Sequence, residues 1–241
     1  MKKIASILAL LSFLALPCAA QEVVTALRHP TSGGGGGIAV TCATGAGSFS
    51  GTSATLTIAA PNGSLVVVGV GTQLTANFTS LKDNLGNNLT ADTSTWIGST
   101  NPGFAKMFHE VSTGITSVTA TFAAGTNEIS VEGCYVTGLT NNAADVIDQT
   151  GHVVTGGSTV LTTGAMTTTN AADAIFGFVH DGNNVTTFGA TSPWVLGDTH
   201  STSSSYSAGI IYQIVAATGT YTPTGTLSPS QAYSAVGGSY K

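Results

Sequence analysis

Charge is almost missing from this chain. Asp, Glu, Lys and Arg together make up 7% of 241 residues, where an ordinary globular protein has about a quarter. Only six residues are cationic: Lys2, Lys3, Arg28, Lys82, Lys106 and Lys241. Cations this sparse and scattered build no basic patch. Nucleic acid is excluded as a partner, because binding phosphates needs clustered Lys and Arg, and an anionic membrane surface is excluded for the same reason. Catalytic motifs are missing too. A serine-hydrolase elbow needs Gly-x-Ser-x-Gly ahead of a helix, and the nearest sequence, Gly47-Ser48-Phe49-Ser50-Gly51, has Phe49 at its centre. Gly45-Ala46-Gly47 has neither the third glycine nor the following lysine of a phosphate loop. Helix formers such as Glu, Lys, Gln and Arg are rare, and no segment shows amphipathic helical periodicity.

The N-terminus holds what the rest lacks, a cationic start and an apolar run. Lys2 and Lys3 precede Ile4 to Leu16, and Pro17-Cys18-Ala19-Ala20 follows. This is the pattern of a secretory signal peptide over residues 1–20, too short to span a membrane. Cleavage after Ala20 would make Gln21 the mature start. A lipoprotein anchor on Cys18 is the competing possibility, but Ala15-Leu16-Pro17 matches its requirement poorly. A secreted, extracellular or cell-surface location is therefore expected, with no membrane insertion of the mature chain. That chain would keep four cations against eleven acids, a net charge of four minus eleven, or −7. Thr, Ser, Gly, Ala and Asn replace charge, giving a neutral hydroxyl- and amide-rich surface suited to self-association or to an extracellular polysaccharide.

Residues 21–37 read as an arm. Val23, Val24, Ala26 and Leu27 form a short strand candidate, and Gly33 to Gly37 form a flexible tether. From Ile38 onward, short apolar runs alternate with turn clusters such as Pro61-Asn62-Gly63-Ser64 and Asp83-Asn84-Leu85-Gly86-Asn87. Strict alternation in Ser117–Phe122 puts Val118, Ala120 and Phe122 on one face and Ser117, Thr119 and Thr121 on the other. The expected fold of residues 38–241 is a single all-β domain, a two-sheet antiparallel β-sandwich of jelly-roll type. Many of the strands alternate in this way, with one buried and one wet face. Two cysteines remain in the mature chain, Cys42 and Cys134. An oxidising compartment favours a disulfide between them. Their strand phases leave two separate buried thiols as the alternative, since Cys134 lies opposite Ile129, Val131 and Tyr135.

Several of these segments carry a resemblance. Ser53-Ala54-Thr55-Leu56-Thr57-Ile58, Gly63-Ser64-Leu65-Val66-Val67-Val68 and Asp83-Asn84-Leu85-Gly86-Asn87 come in that order. An alternating Thr/Val strand over Ile115–Phe122 follows. Val131–Leu139 then ends in Thr137-Gly138-Leu139, and a closing strand ends in Tyr240-Lys241. Together they resemble a poorly characterised group of secreted bacterial β-sandwich modules, jelly-roll or immunoglobulin-like. The resemblance implies a sandwich used in surface or extracellular proteins, with no catalytic residues to carry over. Gly133-Cys134-Tyr135-Val136 departs from it, standing where an acidic-aromatic pair is more usual.

Candidate sites are few. Trp96 and Trp194 flank loops and could stack on sugar rings. Asp145 and Asp148, in Asn141–Asp148, are the best calcium ligands the sequence offers, which makes calcium the one candidate cofactor. His180-Asp181 and Asp198/His200 could form a metal cluster if their strand ends met. Glu110, Glu128 and Glu132 lie on expected strands, and Glu110 and Glu132 would be a glycosidase pair only if they faced each other across a sheet. The expected function is a non-catalytic secreted structural or adhesive module, with Val23, Val24, Ala26 and Leu27 as a donor strand for a fibre or surface layer. The alternatives are a carbohydrate-binding module and, more weakly, a secreted polysaccharide hydrolase or lyase.

Overall fold

In the computed structural model the described residues are 37–99, 103–124, 128–139, 146–182, 187–202 and 206–241. Among them the chain is all-β, and its one helical element is a 3-10 turn at Thr75–Asn77. The strands are β1 (Ala39–Cys42), β2 (Ala46–Ser48), β3 (Ser53–Thr57), β4 (Leu65–Thr72), β5 (Phe78–Asp83), β6 (Thr90–Ala91), β7 (Ile97–Ser99), β8 (Gly103–Val111), β9 (Ser117–Phe122) and β10 (Ile129–Thr137). The later ones are β11 (Ile147–Thr162), β12 (Met166–Thr167), β13 (Asp173–Asp181), β14 (Thr187–Ala190), β15 (Val195–Thr202), β16 (Tyr206–Val215), β17 (Thr220–Tyr221) and β18 (Thr224–Tyr240). They pair antiparallel into open sheets. Sheet A has the order β1-β10-β4-β8-β6, sheet B the order β3-β9-β5, and sheet C the order β11-β18-β13-β16-β15.

Sheet A is the middle layer. One face of it carries Val66, Val68, Val70, Phe108, Ile129 and Val131, which pack on Leu56, Leu81, Val118 and Phe122 of sheet B. Its other face carries Leu65, Val67, Met107, Cys134 and Val136, which pack on Phe176, Phe178, Ile210, Tyr212 and Val236 of sheet C. Burial on both faces explains the unbroken apolar run Leu65–Val68: every residue of β4 is buried. The expectation of one wet face holds for outer strands such as β3 and β9, where buried residues alternate with more exposed ones. It does not extend to β4, β10 and β13, which are covered on both sides.

This double burial also accounts for the cysteines. Cys42 pairs with Cys134 in register across β1 and β10, and the two are disulfide-bonded. The phase argument against the bond took the face of Ile129 and Val131 to be the buried one, but the face of Cys134 is buried as well.

Glycines let sheets A and C approach. An added Cβ on Gly69 would lie 2.2 Å from Cγ of Phe178, and one on Gly71 would lie 2.3 Å from Nδ1 of His180. At the end of β5 in sheet B, the Asp83–Asn87 turn is closed by the Asp83 carboxylate. It accepts from the N–H groups of Leu85 (2.9 Å) and Asn87 (2.8 Å), with Gly86 at φ +90°.

Candidate functional site

The open side of the stack, where β1 and β15 are edge strands, carries a groove of about 490 Å3. Val40, Ile58, Tyr135, Val195, Leu196 and Tyr212 supply most of its apolar lining. Cys42 and Gly197 also line it, and Gly197 sits so close to the disulfide that a Cβ there would be 2.7 Å from Sγ of Cys42. Leu196 is 39% exposed, an apolar side chain held open to solvent at the groove. Thr41, Thr44 and Thr57 line it too, so the groove is a mixed apolar and hydroxyl slot beside strand edges, a setting that favours an added strand.

Two carboxyl groups lie next to it. Glu132 on β10 is fully buried, and neither of its oxygens accepts a hydrogen bond from a donor. Its carboxyl is directed at the turn between β1 and β2, where a Cβ on Gly45 would meet Oε1 at 2.2 Å. The same Gly45 donates its N–H to Oδ2 of Asp198 at 2.5 Å. Burial raises the Glu132 carboxyl well above the ordinary range, and the charge and contact of Asp198 raise it further. His200, two residues along β15 from Asp198, is lowered by burial, with the Asp198 charge opposing. Sequence reasoning considered Glu132 as a partner of Glu110 and Asp198 as a partner of His200. The sheets instead bring Glu132 and Asp198 together.

Glu110 and Glu132 do not form a catalytic pair. They occupy β8 and β10, on either side of β4, and face opposite layers: Glu132 meets Asp198 of sheet C, while Glu110 is raised by burial and by Asp83 of sheet B.

His180 is the other buried titratable group in the seam between sheets A and C. Its ring stacks on Tyr206 at 5.9 Å and 4° and sits over Gly71 and Gly103. Neither ring nitrogen has a hydrogen-bond partner, and burial pushes its pKa down to about 3. It is a neutral packed ring at physiological pH. His180 and His200 both stand opposite Ala208, one on each side of β16, so they share a face without meeting. Among the described residues no group of three or more His, Cys, Asp or Glu side chains is placed to hold a metal.

A third polar cluster clamps sheet A to sheet C. The Asp92 carboxylate accepts from Nδ1 of His109 at 2.6 Å and from the Tyr240 hydroxyl. The His109 and Tyr240 rings lie 6.1 Å apart. The pair has the look of an oriented catalytic histidine, but among the described residues no serine or cysteine is hydrogen-bonded to His109, so no nucleophile completes it.

The two tryptophans are not brought together. Trp194 is 8% exposed and packs with Met166, Ile175 and Val215 on the far face of sheet C. Trp96 is half-buried against the sheet A–sheet B core. Phe78 meets it edge-on at 5.1 Å, and the Lys106 ammonium sits 6.0 Å from its ring. Trp194 is thus part of a core, whereas Trp96 stays partly exposed. Val23, Val24, Ala26, Leu27 and Asp145 lie outside the described residues.

Asp148 caps a turn. Its carboxylate accepts from N–H of Thr169 at 2.5 Å, from the Thr169 hydroxyl, and from N–H of Asn170 at 3.4 Å. Burial pushes its pKa up, but these donors outweigh that and leave it lowered. Oxygens already occupied by donors are poor cation ligands. Its neighbour Asp173 accepts from Nδ2 of Asn170 at 3.0 Å. Burial raises Asp173 from 3.8 to about 6, the Asn170 bond opposes that, and the Asp148 charge adds to it. A carboxyl raised in the fold contributes stability below its unfolded pKa and loses it as pH rises. Asp173→Asn is therefore expected to melt higher than the parent above about pH 6, with the difference vanishing below pH 3.8. Melting curves of both proteins across that range check this, and a constant difference would refute it.

No family model, curated protein or solved structure matches the chain.

Proposed function

We propose that the chain is a secreted, non-catalytic structural or adhesive module. In this proposal it is a jelly-roll-like β-sandwich that joins copies of itself into an extracellular fibre or layer. The observation that carries it is the groove beside the edge strands β1 and β15. The described residues begin at Gly37, two residues before β1, so the chain preceding them departs from the groove's own edge. Five glycines, Gly33–Gly37, reach roughly 17 Å when extended. In a second copy, Val23, Val24, Ala26 and Leu27 supply an alternating strand of the right length to lie on β1. Repetition of such a head-to-tail contact gives an open filament. Strand alternation between sheets A and B along β1, β3, β4, β5, β8, β9 and β10 favours the jelly-roll description. The burial of Trp194 favours self-association over sugar binding.

Deleting Gln21–Gly37 should leave a folded monomer that no longer assembles. Leu196→Arg, which places a charge at the groove, should block assembly while the arm is intact. Sedimentation of the secreted protein over a concentration series checks both, and assembly that persists in either variant rejects the donor-strand contact.

A further inference from the structure

Among the described residues, no Lys or Arg is paired with the two acids beside the groove. His109 pairs with Asp92 instead. Lys106 is drawn to Asp92 and Lys241 to Asp173. His200 is held toward its neutral form by burial. Two carboxylates left in contact, one fully buried and without a donor, repel each other and lack solvation. A proton shared between them is one remedy, and a doubly charged cation is the other.

We propose that Glu132 and Asp198, seated on the Ala43–Gly45 turn beside the groove, form a divalent-cation site, with calcium the ion their all-oxygen chemistry suits. Three features beyond the two acids support it. Both Glu132 oxygens are buried and accept from no N–H group or hydroxyl, and their polar neighbour is the other acid, Asp198. Gly45 has no side chain where one would collide with that carboxyl, so the backbone of the turn packs directly against it. Thr44 and Gly197, each one residue from the site, line the groove and give the ion a way in. The fixed Gly45 N–H on Asp198 Oδ2 holds that carboxylate in place and leaves Oδ1 for the metal.

The site is distinct from the Asp148 turn, whose oxygens already accept three donors, and it does not depend on how copies associate. The test is thermal unfolding of the mature protein in chelator and in millimolar calcium chloride at neutral pH, with magnesium chloride as the ionic-strength control. Calcium is expected to raise the melting temperature by several degrees and to saturate; magnesium is expected to do markedly less. Glu132→Gln and Asp198→Asn should each abolish the shift, and Asp148→Asn should keep it. Glu132→Gln should also melt at or above the calcium-free parent, because it removes the buried charge. If that variant does not fold, Asp198→Asn, at a half-buried position, carries the test alone. No calcium shift, an equal shift with magnesium, or a shift retained in Asp198→Asn overturns the site.

Discussion

Replacing both Cys42 and Cys134 by alanine is expected to cost the fold about 4 kcal/mol, the largest effect of any change outside the deep core. The bond closes a loop across 92 residues of sequence separation. A loop near a hundred residues loses roughly 4.7 kcal/mol of unfolded-state entropy in the chain-entropy model, though measured disulfides more often contribute about 2–4. There is a local effect as well. β1 has four residues and one neighbour in its sheet, so the disulfide is its strongest attachment. Without it the strand bordering the groove should fray first. Urea unfolding of the double variant gives the global cost. Amide exchange at Val40 and Thr41 gives the local one. A cost under about 1 kcal/mol, with unchanged exchange in β1, would mean that strand pairing alone holds this edge.

The second large effect concerns Gly69. Alanine there puts a methyl 2.2 Å from Cγ and 2.8 Å from Cβ of Phe178. The Phe178 Cβ is fixed to β13, so the ring cannot swing away, and sheets A and C must separate locally. Overpacking of this kind costs about 1–3 kcal/mol and sometimes more. Gly69→Ala should fall at the upper end, because both contacting elements are central strands. Phe178→Ala removes the colliding ring at its own cavity cost of about 3–5 kcal/mol. In that background Gly69→Ala should cost at least 1 kcal/mol less, a coupling that a double-mutant cycle reads directly. Additive costs would show that the two sheets yield without using this contact.

Much of the fold was legible in the sequence where strands are amphipathic or wholly apolar. Ser117–Phe122 alternates as read, and the apolar Tyr206–Val215 is a strand throughout. The strands that escaped notice have polar sequences. β15 reads Val-Leu-Gly-Asp-Thr-His-Ser-Thr and lies at a sheet edge, where one apolar face suffices. The first half of β11, Ile147 to Gly157, contains Asp148, Gly151 and Gly156 and looked like the end of a loop, yet it pairs with β18 through several register shifts. Missing β15 had a direct consequence for the site. With no strand expected over Val195–Thr202, nothing placed Asp198 opposite Glu132, and Glu132 itself looked like an ordinary wet-face residue. A strand buried on both sides cannot be told from a one-sided strand by its polar positions alone. The one available signal was a carboxylate inside Val131-Glu132-Gly133-Cys134, a stretch otherwise too apolar to be half wet.

Among the described residues, every strand pair joins partners from the same half of the chain: sheets A and B come from residues 39–137, sheet C from residues 147–240. No ladder of backbone hydrogen bonds crosses between the halves. They meet through side chains, including the phenylalanines of β13, the bond from the Ser234 hydroxyl to the Gly103 carbonyl at 2.8 Å, and the Asp92–Tyr240 contact. In physical terms this seam is a protein–protein interface whose two partners happen to share one chain. It has the apolar centre and polar margins that let separately made subunits recognise each other. Such a molecule lends itself to fragment complementation: residues 21–139 and 146–241, produced as separate polypeptides, have the complementary surfaces needed to reassemble without a peptide bond between them.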